Sequence, residues 1–399
     1  MHFSLTEEQQ LLESSALAFL AKEYDPQAPV AAPELWQHFA DMGWLALPLP
    51  EADGGFDGGA VETGVLMRAF GRHQVIAPYY GCILLAARLL AELGTADQRE
   101  AWLPALMAGE KRIALAHDEP HRHAPWAPRQ TCAVREGDGW RLTGVKVLAA
   151  GADGADALLV SARLPHVPHM QGANASHAVF LVSPQSLGAS SHACRTADGG
   201  SAADLYLEGV HVSDDARLGT ADDATPVLHR ILAEGLIALC WEACGAMQAA
   251  LEQTVTYTSQ REQFGQSISR FQVVQHRLAE MAVCCEEALA ASELAALRAD
   301  GGAADVLAAA SMAKSKVGRA ARYVAQEAVQ LHGAMGVSEE MPVAGLFRKL
   351  TAFQQQGGAT AWHSAQLGQR LLESDAWRDS QTLLSARSVP VSSAAPVTA

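Results

Sequence analysis

The chain contains no apolar run as long as the ~18 residues that a membrane-spanning helix requires, so nothing in it predicts a membrane partner. Positive charge is scarce: 29 Lys and Arg stand against 44 Asp and Glu, a formal net charge of −15. A general nucleic-acid binder needs clustered Lys/Arg to neutralise phosphates, and that class is excluded. The 15 histidines add little positive charge at neutral pH. The seven cysteines are an odd number without zinc-ligand spacing. Cys240/Cys244 and Cys284/Cys285 lie in Ala/Leu-rich helical text, which predicts buried, reduced thiols and a cytoplasmic setting. The first twenty residues lack a basic region and a small-residue cleavage site, and read as a helix rather than a signal peptide. No G-x-S-x-G, P-loop or dinucleotide G-x-G-x-x-G occurs in a strand–turn–helix context. His117, His121 and His123, and again His166 and His169, cluster in Pro-rich text without zincin spacing, and are expected to be solvated loop histidines.

What is present is a foldable chain. Its 399 residues are 49% hydrophobic and 18% charged, with 33 Gly and 17 Pro. Disordered, collagen-like and disulfide-scaffold classes are excluded, and the length predicts two or three packed units. Residues 1–115 read as helical. Thr6 is placed to cap a first helix with Gln9 completing a capping box, followed by an apolar stripe of Leu11, Leu12, Ala16 and Phe19. EADGGFDGG at 51–59 is a turn cluster, and Gly94 is a candidate helix C-cap. Residues 116–218 change texture. Alternation at Trp140-Arg-Leu-Thr, Val145-Lys-Val, Asp204-Leu-Tyr-Leu-Glu and Val210-His-Val, with short apolar runs at Leu158-Leu-Val and Val179-Phe-Leu-Val, predicts a β-domain of short strands. Glu136-Gly-Asp-Gly is a hairpin signal. From 225 to 380 the period is helical again, through Leu232, Leu236, Leu239, Ala243 and Met247, then Phe271, Val274, Leu278 and Met281, which predicts a bundle of long helices. Residues 385–399 read as a disordered tail.

Chemistry is most visible at 257–281, YTSQREQFGQSISRFQVVQHRLAEM. A helix carrying Tyr257 and Arg261 on one face is expected to end near Phe264-Gly265, with a second helix opening at Phe271-Gln272. An arginine at such a corner offers a bidentate fork for a phosphate, and Phe264 an apolar surface for a flat ring. Structural readings remain open beside this one: Arg261 paired with Glu262 or Glu280, and Phe264 as a core residue.

This segment resembles the acyl-CoA dehydrogenase pattern "Y…R.QFG..I..FQ..QHRLA.M" nearly position for position. QLHGAMG at 330–336 resembles that family's "Q.LGG.G". LTEEQQLL near the N-terminus and the α–β–α order also fit, so the resemblance covers roughly residues 3–375. It implies an α+β, mainly helical fold: an N-terminal helical domain, a β-barrel-like middle domain and a C-terminal four-helix bundle. It implies FAD as cofactor and an acyl-CoA thioester as substrate. In that reaction a carboxylate removes the α-proton while the β-hydride passes to the flavin. The family's corresponding elements reach across a dimer interface to the pyrophosphate and adenine end of FAD seated mainly in the neighbouring subunit. Here Arg261, Gln263, Phe264, Phe271, Gln272, Gln330, Gly333 and Ala334 occupy those positions, Ala334 standing where a Gly is usual.

Other family elements are degraded. "TEP.AGSD" falls on AHDEPHRHA, where Asp118-Glu119-Pro120 keeps a trace of it, and "W-I-T" falls on VLAAG at 147–151 without its Trp or Thr. "YEGT" falls on Gln356-Gly357-Gly358-Ala359, so Gly357 stands in the place of the catalytic Glu. A smaller branch carries the base on an earlier helix in an "ERL" context; that position is Gly235, with Glu234 beside it, one residue and ~100° away around a helix. The pattern resembles the small, base-lacking subunit of pimeloyl-CoA and steroid side-chain dehydrogenases, in which a second, base-carrying subunit completes a heterotetramer. The expected electron acceptor is an electron-transferring flavoprotein. Three alternatives stand beside this reading: a homo-oligomer using Glu234 as base, an inactive assembly protein of the same fold, and a same-fold flavin monooxygenase that needs no carboxylate.

Overall fold

The computed structural model describes residues 4–26, 32–120, 124–127, 129–164, 176–221 and 223–374. His121, His123, His166, His169 and the 385–399 tail lie outside the described residues. The chain opens with helices α1 (Glu7–Glu23), α2 (Ala32–Asp41), α3 (Ala60–Arg72), α4 (Arg88–Leu93) and α5 (Ala96–Met107). The expected capping box is present: the Gln9 amide donates to Thr6 Oγ1 at 3.2 Å and the Thr6 amide to Gln9 Oε1 at 2.9 Å. The buried face of α1 falls on Ala16 and Leu20, while Leu11 is exposed. Gly94 caps α4, its N–H donating to the Leu90 carbonyl. Before α4, Tyr80–Ala87 forms a π-helical stretch with all residues from Gly81 onward buried. This stretch runs on into α4 as continuous helix.

The middle of the chain is a seven-stranded sheet: β1 (Ile113–Ala116), β2 (Cys132–Glu136), β3 (Gly139–Ala150), β4 (Ala157–Arg163), β5 (His177–Val182), β6 (Ser191–Arg195) and β7 (Ser201–Ser213), in the order β1-β4-β2-β3-β7-β6 with β5 paired to β4. β1 begins ahead of the expected start of the β region at 116, because Ile113–Ala116 is a fully buried apolar run that pairs parallel to β4. The Glu136–Gly139 hairpin joins β2 to β3 as expected. The two alternating segments at 204–208 and 210–212 are one strand, β7, running antiparallel to β3 with a bulge near Leu142.

The C-terminal part holds α6 (Thr225–Gln260), a two-residue hairpin of β8 (Glu262–Gln263) and β9 (Gln266–Ser267), then α7 (Gln272–Asp300), α8 (Val306–His332), α9 (Pro342–Phe353) and α10 (Thr360–Ser374). The first of these helices ends at Gln260, four residues before the expected Phe264. The three long helices pack on one another, and α9 and α10 lie against α8. Helix α3 crosses α6 at backbone distance: a Cβ on Gly71 would lie 1.8 Å from the Glu242 carbonyl oxygen, and one on Gly245 1.9 Å from that of Arg68. Only glycine permits this approach. Asp300, the last residue of α7, caps α3 by accepting from the Ala60 and Val61 amides at 2.6 and 3.1 Å. The helical parts at the two ends of the chain are thus one packed body. All seven cysteines are free thiols; Cys240 and Cys244 are buried, and Cys284 and Cys285 half-buried.

Candidate active site and cofactor-lending corner

The corner at the end of α6 faces outward. Arg261, Glu262, Gln263, Phe264 and Gly265 are all exposed, and Phe264 is 91% exposed. This removes the core reading for Phe264. The tip of the hairpin is conformationally special, with φ of +55° at Phe264 and +77° at Gly265. A bulky residue in the left-handed region is uncommon and costs backbone energy. Here the result is a large aromatic presented to solvent, edge-on to Phe271 at 6.2 Å. The backbone of Arg261 is fixed, its N–H donating to Tyr257 O and its carbonyl accepting from Ile268 N, both at 2.8 Å. Its guanidinium makes no ion pair among the described residues. Neither alternative partner engages it: Glu280 instead accepts from the Tyr323 hydroxyl. Phe271 is half-buried and N-terminal to α7; Gln272 is exposed. Gln330, Gly333 and Ala334 lie exposed at the end of α8 and in the turn that follows. The ends of α6 and α8 meet where Tyr257 stacks on His332, with ring centroids 4.4 Å apart.

Glycines stand at the two positions where the resemblance would place a base, and a Cβ at either would touch neighbouring side chains. A Cβ on Gly357, whose φ is +64°, would come within 2.7 Å of Leu236 Cδ1. A Cβ on Gly235 would meet Leu85 Cδ2 at 2.7 Å and Tyr80 Cε2 at 3.1 Å. Glu234 is engaged elsewhere. Its carboxylate pairs with Arg88 at 2.5 Å and Arg230 at 3.2 Å, within a network that includes Glu92.

The loop after β1 meets the C-terminal helices through aromatic side chains. Trp126, in the loop after the Asp118-Glu119-Pro120 trace, packs against His229 of α6 and Trp362 and His363 of α10, at centroid distances of 6.2, 6.5 and 6.1 Å. His363 is fully buried; Nδ1 meets Ser311 Oγ at 3.0 Å and Nε2 the Gly357 carbonyl at 2.9 Å. The same loop is tied down by charge. Glu119 accepts from the Gln130 and Thr131 amides at 2.6 and 2.9 Å and from Lys146 Nζ at 2.9 Å. Burial by itself raises the Glu119 carboxyl, but Lys146 and the two amides bring it down to about 2. Burial lowers Lys146 to about 8 against the pull of Glu119. Arg129 donates from Nε to His117 Nε2 at 3.0 Å and also reaches the Pro125 carbonyl at 3.0 Å. His117 is therefore not a solvated loop residue: it is buried, and Nδ1 meets Ser161 Oγ at 2.8 Å. Within the VLAAG stretch, Leu148 is 58% exposed on a backbone of φ +50°. No group of three or more candidate metal ligands occurs among the described residues.

His363 predicts an acid sensitivity. Burial pushes its pKa from 6.5 to about 4, opposed by the Gly357 carbonyl. The folded pKa lies below the unfolded one, so the unfolded chain takes up the proton first. Stability present above pH 6.5 is lost as pH falls toward about 4. The fall in melting temperature across that window is expected to be shallower in His363→Gln; an unchanged slope would remove His363 as a contributor.

The chain matches known proteins along most of its length. The sequence pattern of the acyl-CoA dehydrogenase N-terminal domain matches residues 6–110, and that of the acyl-CoA dehydrogenase C-terminal domain residues 225–372. Acyl-CoA dehydrogenase FadE27 of Mycobacterium tuberculosis is 30% identical over 357 residues, 86% of this chain and 89% of that protein. This chain belongs to the acyl-CoA dehydrogenase family. Its fold is that family's: an N-terminal helical domain, a middle β half-barrel and a C-terminal helical domain. The ChsE4-ChsE5 complex from Mycobacterium tuberculosis superposes with a TM-score of 0.82 at 26% identity, covering 94% of this chain and 99% of that one. A chain of the Tcur3481-Tcur3483 steroid acyl-CoA dehydrogenase variant gives 0.80 at 30% identity, with 93% and 99% covered. The family's general reaction is FAD-linked dehydrogenation of an acyl-CoA. No described helix is long and apolar enough to cross a membrane.

Trp126, Arg129, Lys146 and His363 were not singled out by the sequence. Lys146 left one signal, a lysine at an inward position of an alternating strand. The others lie in loops or at a helix start, where periodicity carries no information.

Proposed function

We propose that this chain is the base-lacking subunit of an unlike-subunit acyl-CoA dehydrogenase. It lends the Arg261 corner to FAD held by a partner that carries the catalytic carboxylate. The observation that carries this reading is a contrast. Arg261, Gln263 and Phe264 are exposed at the end of α6, while glycines stand at both positions where the resemblance would place a base. The outward corner fits a phosphate-bearing flavin cofactor: a free guanidinium fork, an exposed aromatic face, and amide-bearing Gln263, Gln272 and Gln330. When bound, the flavin supplies the hydride acceptor for oxidation of the acyl-CoA to 2-enoyl-CoA. Arg261 binds and orients phosphate charge, Phe264 covers apolar ring surface and excludes water, and Gly333 and Ala334 keep the turn after α8 narrow. Proton removal is left to the partner. Electrons leave to an electron-transferring flavoprotein. Heteromeric neighbours named as complexes support the two-chain assembly.

The test is co-expression with a base-carrying subunit, followed by acceptor-dye reduction with steroid side-chain, dicarboxylic and medium-chain acyl-CoAs. Turnover is expected from the pair and none from this chain alone, and Glu234→Gln in the pair should leave the rate within about twofold. Turnover by the isolated chain, abolished by Glu234→Gln, would replace this reading with a self-sufficient homo-oligomer. An FAD-loaded pair that never turns over would favour an assembly protein.

A further inference from the structure

The two halves of the outward corner come from distant parts of the chain. Arg261 and the hairpin follow α6; Gln330, Gly333 and Ala334 close α8. A phosphate-bearing cofactor that touches both halves gains only if they are held in register before it arrives, since ordering them on binding costs affinity. Tyr257 and His332 are placed to do this. Tyr257 lies one helical turn before Arg261, and its carbonyl holds the Arg261 amide at 2.8 Å. His332 is the last residue of α8, two after Gln330 and directly before Gly333. The rings stack at 4.4 Å with an interplanar angle of 25°.

The imidazole is itself locked. His332 is 3% exposed, and Nδ1 lies 2.7 Å from the Ala328 carbonyl, which fixes Nδ1 as the protonated nitrogen. Nε2 is buried and has no hydrogen-bond partner among the described residues. Immediately after it, Gly333 adopts φ +62° and ψ −139°, a conformation that glycine tolerates and other residues do not. The chain therefore reverses sharply at the point where the ring is pinned, and exposes Gly333 and Ala334.

We infer that the Tyr257–His332 stack is a positioning clamp that holds the Arg261 hairpin and the Gln330–Ala334 turn as one preorganised surface for the partner's FAD. This rests on the proposed lending of the corner, and it adds two residues that do not themselves touch the cofactor. An aromatic pair of this kind is worth about 0.5–1.5 kcal/mol beyond its buried area, which in binding corresponds to up to about tenfold.

The experiment titrates FAD into the deflavinated heteromer, reads flavin fluorescence, and measures association of the two subunits in parallel. Tyr257→Leu and His332→Leu are expected to weaken FAD binding about five- to tenfold with subunit association unchanged. His332→Phe and Tyr257→Phe, which keep the rings, are expected to stay within about twofold of the unsubstituted heteromer. FAD affinity within twofold in both leucine variants overturns the clamp. So does a phenylalanine variant as weak as its leucine counterpart, which would assign the effect to a polar atom, and so does a leucine variant that loses its partner, which would assign the stack to assembly. Arg261→Ala in the same assay separates the two levels. If it weakens FAD and the leucine variants do not, the clamp alone fails; if it too is without effect, the lending of the corner fails.

Discussion

Arg261→Ala is expected to weaken the heteromer's hold on FAD by about ten- to a hundredfold, the range for loss of a charge-assisted hydrogen bond worth about 1.5–3 kcal/mol. The side chain is exposed and makes no ion pair among the described residues, so its removal leaves no buried partner behind. The stability of the subunit itself should be unchanged, because surface substitutions away from caps and networks stay within about 0.5 kcal/mol. Arg261→Lys should recover only part of the affinity, since a point charge replaces a planar fork. The loss should shrink as salt rises, because charge on an exposed corner is screened. Equal FAD affinity in the alanine variant, measured by flavin fluorescence at low salt, would contradict the role.

Lys146→Met is expected to produce the largest loss of fold stability. Lys146 and Glu119 are buried, and removing one partner of such a pair costs about 3–5 kcal/mol because the other charge is left uncompensated. Glu119 would keep its bonds from the Gln130 and Thr131 amides but lose the ammonium that offsets its burial. Lys146→Met with Glu119→Gln should regain part of the loss, which denaturant titration of the three variants would measure. The wild-type pair also has a pH signature. The Glu119 pKa is depressed to about 2, so its contribution is present above the ordinary carboxylate range and is lost as pH falls toward 2. A single-variant cost under about 1 kcal/mol would show that water reaches the pair.

The parts of this molecule that were legible in its sequence are those written in short-range patterns. The Thr6–Gln9 box, the Glu136–Gly139 hairpin and the Gly94 cap each depend on residues within a few positions of one another. The long helices α6, α7 and α8 follow from a sustained 3–4 residue period. The change at Tyr80–Ala87 was not legible, because a run of buried apolar residues has the same period-free look in a π-helix as in an α-helix. The solvated reading of His117 failed for a related reason. Its partners Arg129 and Ser161 come from a loop and a strand with no local relation to it. The corner residues were found from a motif, and the structure places them around two helix ends joined by Tyr257 and His332, exposed except for the half-buried Phe271. Gly235 and Gly357 were read from the motif, but their neighbours Leu85, Tyr80 and Leu236 are ordinary core residues in the sequence. Trp126, which meets α6 and α10 from a loop, left no signal at all.

The central claim is that flavin is shared asymmetrically, with this chain contributing a corner and housing none. The direct measurement is the FAD content per polypeptide of the purified heteromer, from flavin absorbance against quantified subunits, beside that of this chain purified alone. The account predicts about one FAD per pair of unlike chains and none retained by the isolated chain. One FAD for every copy of this chain, with or without its partner, would contradict it.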